Sequence, residues 1–149
     1  MENDKTIEVL NTLITINNDR IEGYETASKE TDEHDLKTLF AMFIQNSQKC
    51  KQELVAEVSM LGGQIAEGTL ISGKFFRVWM DVKAAITNKD RKTILNSCEF
   101  GEDAMKTTYE TTLELNTDIF SAAQKAMIRA QYDLLKADHD KVKLMRDRL

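Results

Sequence analysis

Apolar residues recur at spacings of three and four over four long stretches of this chain, the signature of helices that each bury one face. From Thr6 to Ser28 the stripe is Ile7, Leu10, Ile14, Ile21 and Tyr24, interrupted by Asn17 and Asn18. Glu30, Thr31, Asp32 and Glu33 then place capping and acidic residues at a second helix start, where free N–H groups and the positive dipole end favour them. That helix carries Leu36, Phe40, Phe43, Cys50, Leu54, Val58 and Leu61 on one face and stops at Gly62 and Gly63. A third runs from about Asp90 to Leu115 with Leu95, Cys98, Met105, Tyr109 and Leu113, and Asn116, Thr117 and Asp118 supply the next stop and restart. The fourth reads Phe120, Ala123, Met127, Ala130, Leu134, Val142, Met145 and Leu149. Lys141, Lys143, Arg146 and Arg148 suit its negative dipole end.

Turn lengths turn this pattern into a topology. Short turns near residues 30 and 116 make the first and second helices, and the third and fourth, antiparallel neighbours. The 62–89 connection is long enough to traverse the height of a bundle and includes a segment, Lys74 to Thr87, that reads as a short helix capped by Ser72. The expectation is an all-α fold: a ferritin-like antiparallel four-helix bundle, with a long crossover containing a short helix between helices two and three. Residues 1–149 form one domain in this reading.

Composition narrows the picture. The chain has no proline, where average usage of ~5% predicts roughly seven, so helices can run without interruption. Four of its six glycines, Gly62, Gly63, Gly68 and Gly73, fall in the one long connection. A net charge of -5 gives no global basic field, so nucleic acid is not an expected partner. No apolar run approaches the ~20 residues needed to span a bilayer. The acidic start Met1-Glu2-Asn3-Asp4 is unlike a secretory signal, so the expected address is cytoplasmic, away from membranes. Cys50 and Cys98 lack CxxC spacing and lie on apolar faces, which suits packed free thiols.

The residues also resemble a family. Ile16-Asn17-Asn18-Asp19-Arg20-Ile21-Glu22-Gly23-Tyr24, Glu53-Leu54, Leu61-Gly62-Gly63, Trp79-Met80-Asp81-Val82-Lys83-Ala84-Ala85, Cys98-Glu99-Phe100-Gly101-Glu102-Asp103-Ala104 and His139-Asp140 are similar to marks of bacterial ferritin-like four-helix-bundle proteins grouped as a domain of unknown function. The resemblance covers nearly the whole chain and implies the ferritin-like fold, with stress or metal association as an analogy.

Candidate chemistry lies where polar residues interrupt apolar stripes. A ferritin-like di-iron centre takes a Glu from each of two helices and a Glu-x-x-His from each of the others. This sequence has no Glu-x-x-His; Lys136 stands where the partner glutamate of His139 would be. Glu102, between Cys98 and Met105, and Asp138, between Leu134 and Val142, should point inward, and rise per residue puts Glu25 and His139 at a similar height. A buried carboxylate must meet a cation, a donor network or a metal. Two readings follow: a polar layer of Glu102 with Arg20, Tyr24 or His139 that fixes helix register, or an atypical site for iron or another divalent metal built from Glu22, Glu25, Glu99, Glu102 and His139. Glu53 sits lower and either pairs with Arg20 or faces water, and His34 reads as solvated or capping. No motif supports nucleophilic or nucleotide chemistry, so neither a catalytic residue nor a substrate is assigned.

The crossover segment is apolar on several sides. Phe75, Phe76, Trp79 and Met80 either lid the bundle or meet a second subunit, and a two-fold homodimer is the expected assembly. The leading functional expectation is thus a non-enzymatic structural or stress-associated homo-oligomer. The alternatives are a metal-dependent oxidase or iron handler, and a module that receives another protein in an apolar groove.

Overall fold

The computed structural model describes residues 2–67, 91–115 and 117–149, omitting the side chains of Glu2, Glu30 and Thr117. The expected segment Lys74–Thr87, with Phe75, Phe76, Trp79 and Met80, lies outside the described residues. Among the described residues the chain is all-helical, with four long helices and no strand: α1, Glu2–Glu30; α2, His34–Met60; α3, Arg91–Leu115; and α4, Ala122–Asp147. A 3-10 turn, Thr117–Ile119, precedes α4.

The ends of these helices follow their sequences. Gly62 has φ 78°, its N–H donates to the Ser59 carbonyl at 3.1 Å, and the Gly63 N–H donates to the Val58 carbonyl at 3.0 Å. This pair of bonds satisfies two of the last carbonyls of α2 and needs a left-handed residue, which glycine supplies without a Cβ clash. A Cβ on Gly63 would stand 2.7 Å from the side chain of Ile7, so the second glycine lets the chain pass close to α1. Asn11 then clamps the departing chain, donating to the Gln64 carbonyl at 2.8 Å and accepting from the Ala66 N–H at 2.9 Å. At the start of α4, Ser121 and Gln124 form a reciprocal capping box.

Contacts between helices fix their directions. Thr6 meets the Ile119 carbonyl, Asn17 meets Tyr109, and Tyr24 meets Glu102, so α1 and α3 are antiparallel. Asn46 meets Asp138, Gln131 meets Glu53, and Gln124 meets Glu57, so α2 and α4 are antiparallel as well. Arg91, the first residue of α3, pairs with Asp35 in the first turn of α2 at 2.7 Å. The starts of α2 and α3 therefore lie at the same end, and the two helices run the same way.

Two apolar clusters fill the interior. One joins Leu10, Leu13, Ile14 and Ile16 to Cys50, Leu54, Val58, Met105, Tyr109, Ile128 and Leu135. The other joins Tyr24 and Ala27 to Leu36, Phe40, Phe43, Ile94, Leu95, Cys98 and Val142. Between them each helix contributes to a buried polar layer that holds Arg20, Ser47, Glu102 and Asp138.

The stripe read for α4 needs correction. Ala123, Ala130 and Leu149 are exposed and Met127 and Leu134 half-buried, while Gln124, Ile128, Gln131, Tyr132, Leu135, Asp138 and His139 are buried. Over 123–134 the inward face is turned by about one residue, or roughly 100°, whereas Phe120 and Val142 are buried as expected. Two buried glutamines conceal it from a search for apolar spacing. In α1, Asn17 likewise belongs to the core, donating to the Tyr109 hydroxyl at 2.9 Å, and Tyr109 donates to Gln131 at 2.8 Å.

Candidate functional site

Arg20 is the centre of the polar layer. It has no exposed surface, and its guanidinium reaches all three other long helices: Ser47 of α2 at 2.5 Å, Glu102 of α3 at 2.7 and 3.0 Å, and Asp138 of α4 at 3.4 Å. Its carbon lies 5.6 Å from the Tyr24 ring centre and 5.7 Å from that of Phe43, which adds aromatic faces to the cation's surroundings. Tyr24 donates to the same Glu102 oxygen at 2.5 Å, and Asn46 donates to both oxygens of Asp138 at 3.0 Å.

The layer contains one guanidinium and two carboxylates. Burial raises the pKa of Glu102, opposed by Arg20 and Tyr24. Burial raises Asp138 too, opposed by Arg20 and Asn46. For Arg20, burial presses downward but Glu102, Tyr24 and Asp138 hold the guanidinium above its ordinary value. One Glu102 oxygen takes the bonds from Arg20 and Tyr24, while Oε2 is buried without a hydrogen-bond partner. Burial also pushes the Cys50 thiol up to about 12, and the Cys98 thiol is raised by burial and by Glu102, so neither is poised as a nucleophile.

A bundle-core di-iron centre needs Glu and Glu-x-x-His ligands converging from several helices, and the residues of this layer do not fit one. A permanently charged guanidinium occupies the middle, its donors already committed to the carboxylates that would be ligands. Glu102 thus meets Arg20 and Tyr24 as its inward position requires, whereas His139 lies apart from it.

The other residues marked for metal are distributed differently. Glu22 and Glu25 are exposed on α1. Glu99 of α3 is largely covered and pairs with Arg146 of α4. His139 is buried, with Nε2 2.5 Å from Asp103 and Nδ1 3.1 Å from Asp140. Glu99, Asp103 and His139 each offer a ligand atom within 4.8 Å of the others. A groove of about 330 Å³ opens beside them, lined by Asn96, Glu99, Phe100, Asp103 and Arg146. The ion-pair partner of Asp140 is Lys136, whose hydrogen bond, with that of His139, lowers the Asp140 pKa.

Sequence reasoning missed Asp103, Asn46 and Ser47. Asp103 had a signal: it stands four residues after Glu99, hence on the same face of a helix. Asn46 and Ser47 interrupt the α2 stripe between Phe43 and Cys50 as Glu102 interrupts that of α3. Glu53 accepts from Gln131 at 3.0 Å, and His34 is exposed.

No described helix is long and apolar enough to cross a membrane. A family model for a domain of unknown function, DUF2383, matches residues 5–115. No curated protein matches the chain.

Proposed function

The chain belongs to the DUF2383 family, and from that premise we propose that it is a ferritin-like bundle with a non-enzymatic, structural task, performed as a homo-oligomer. The observation that carries this reading is Arg20, which fills the centre of the bundle and ties its four helices into a closed ionic layer. Such a layer fixes register, because sliding the helix of Arg20, Glu102 or Asp138 by one turn would leave a buried charge without its partner. The ferritin-like crossover between α2 and α3 is supported by the two helices running the same way. It is supported too by Asn11, which starts the departing chain back along α1.

The test is oxidation of ferrous iron in air by purified protein. The expected rate equals that of buffer. Saturable oxidation that disappears in Glu102→Gln would overturn the proposal, because it would place redox metal in the layer that Arg20 closes.

Assembly is tested separately. The apolar residues Phe75, Phe76, Trp79 and Met80 are the proposed contact, since so large an apolar group is seldom left in water. Sedimentation should give a dimer for the parent and a monomer for Trp79→Asp. An unchanged mass would reject this contact.

A further inference from the structure

We propose that Glu99, Asp103 and His139 form a binding site for one divalent first-row cation, with zinc as the fitting ion, in the groove between α3 and α4. The site differs in place from the bundle centre and does not depend on the proposed structural task. Glu99 and Asp103 are four residues apart on α3, so their carboxylates project from one face, and His139 meets them from α4.

The chemistry of the donors fits. Two carboxylate oxygens and one imidazole nitrogen are ordinary zinc ligands, with bonds of ~2.0–2.2 Å, and three protein ligands leave a fourth position for water. Tetrahedral donors at that range stand roughly 3.4 Å apart. The present ligand atoms lie within 4.8 Å of one another. The Asp103–His139 contact of 2.5 Å must open slightly to admit the ion. The side chain of Asp103 is 53% exposed, so it can turn without disturbing the core.

The surroundings give a second and independent observation. His139 is 6% exposed and held from behind, with Nδ1 facing Asp140 at 3.1 Å and Nε2 facing Asp103, which lines the groove. A carboxylate on the far nitrogen orients a metal-binding imidazole. Asp140 is itself fixed by Lys136 at 2.8 Å. Phe100, 69% exposed, stands at the groove wall and leaves it accessible from solvent.

Arg146 supplies the opposing element. It pairs with Glu99 and also with Asp147 at 2.8 Å, so its guanidinium can release Glu99 and keep a carboxylate partner. Zinc and Arg146 therefore compete for one ligand, and the α3–α4 contact loosens by one ion pair when zinc enters.

Calorimetric titration of chelator-treated full-length protein with zinc chloride tests the site, with cobalt(II) absorption as a second readout of coordination geometry. The expected result is one zinc per chain, lost or weakened at least tenfold in Asp103→Asn and His139→Gln. Asp140→Asn, outside the ligand set, should weaken it ~10–100-fold. Arg146→Met should tighten it. Circular dichroism confirms that each variant is folded, and exposed Asp103 keeps the test valid if the His139 variant is not. Absence of saturable binding, or affinity unchanged in both Asp103→Asn and Asp140→Asn, overturns the site.

Discussion

Arg20→Met should lower the stability of the protein by about 3–5 kcal/mol, because removal of one partner leaves buried carboxylates without compensation. For a chain of this size that corresponds to a fall on the order of 10 °C in melting temperature. The expectation rests on position more than on the number of hydrogen bonds. Arg20 has no exposed surface, and the side chains of Glu102 and Asp138 have 0% and 5%. Water therefore cannot replace the guanidinium. Methionine replaces the aliphatic stem but not the guanidinium that lies over Tyr24 and Phe43, so the loss reports charge, donors and that ring contact together. Glu102→Gln in the Arg20→Met background should recover part of the loss, since a neutral amide is easier to bury than a carboxylate. Coupling between such contacting residues is ~0.5–3 kcal/mol. Arg20→Lys should fall between parent and methionine, because an ammonium keeps the charge but cannot fork onto Glu102. Urea unfolding measures all four proteins. A loss below about 1 kcal/mol for Arg20→Met would mean the layer is not the device that holds the helices together.

The bundle and its central acid were legible in the sequence because they depend on spacing along one helix at a time. The α2 stripe Leu36, Phe40, Phe43, Cys50, Leu54 and Val58 is buried as read. Glu102 is buried between Cys98 and Met105 for the same reason. What one helix cannot tell is the azimuth of its neighbour. Glu25 was placed near the layer by height, but rise per residue says nothing of rotation, and one step beyond inward Tyr24 turns it to solvent. His139 has the right height and a different direction: Asp138 takes the inward slot beside Arg20, and the next residue swings ~100° towards α3. In α4 the buried Gln124 and Gln131 carry hydrogen bonds to Glu57 and to Glu53 and Cys50 of α2. Their burial is satisfied across helices, and a single stripe carries no mark of it.

The same layer predicts an unusual response to pH, with stability that increases as pH falls from above the raised values of Glu102 and Asp138 towards the ordinary carboxylate range. Glu102 and Asp138 both have folded-state pKa values above the ordinary 4.5 and 3.8, burial being the largest cause in each case. In the window from those ordinary values up to the raised ones, the unfolded chain is ionised while the folded chain retains protons. Folding then takes up protons, so this contribution is present at low pH and is lost as pH rises through the folded-state values. A difference of one bound proton changes stability by about 1.4 kcal/mol per pH unit, the limiting slope for each carboxylate. Asp35 and Asp140 act in the other direction: their pKa values are lowered, first by hydrogen bonds from Arg91 and Lys136, so their contribution is lost as pH falls below the ordinary 3.8. Stability should therefore rise on mild acidification and fall only in stronger acid. Glu102→Gln removes one of the two titrating groups and should flatten the slope above the ordinary carboxylate range, and Asp138→Asn should remove most of what remains. Urea midpoints across that range decide the matter. A stability that climbs steadily with pH, or a slope untouched by both substitutions, would show that the layer takes up no proton on folding.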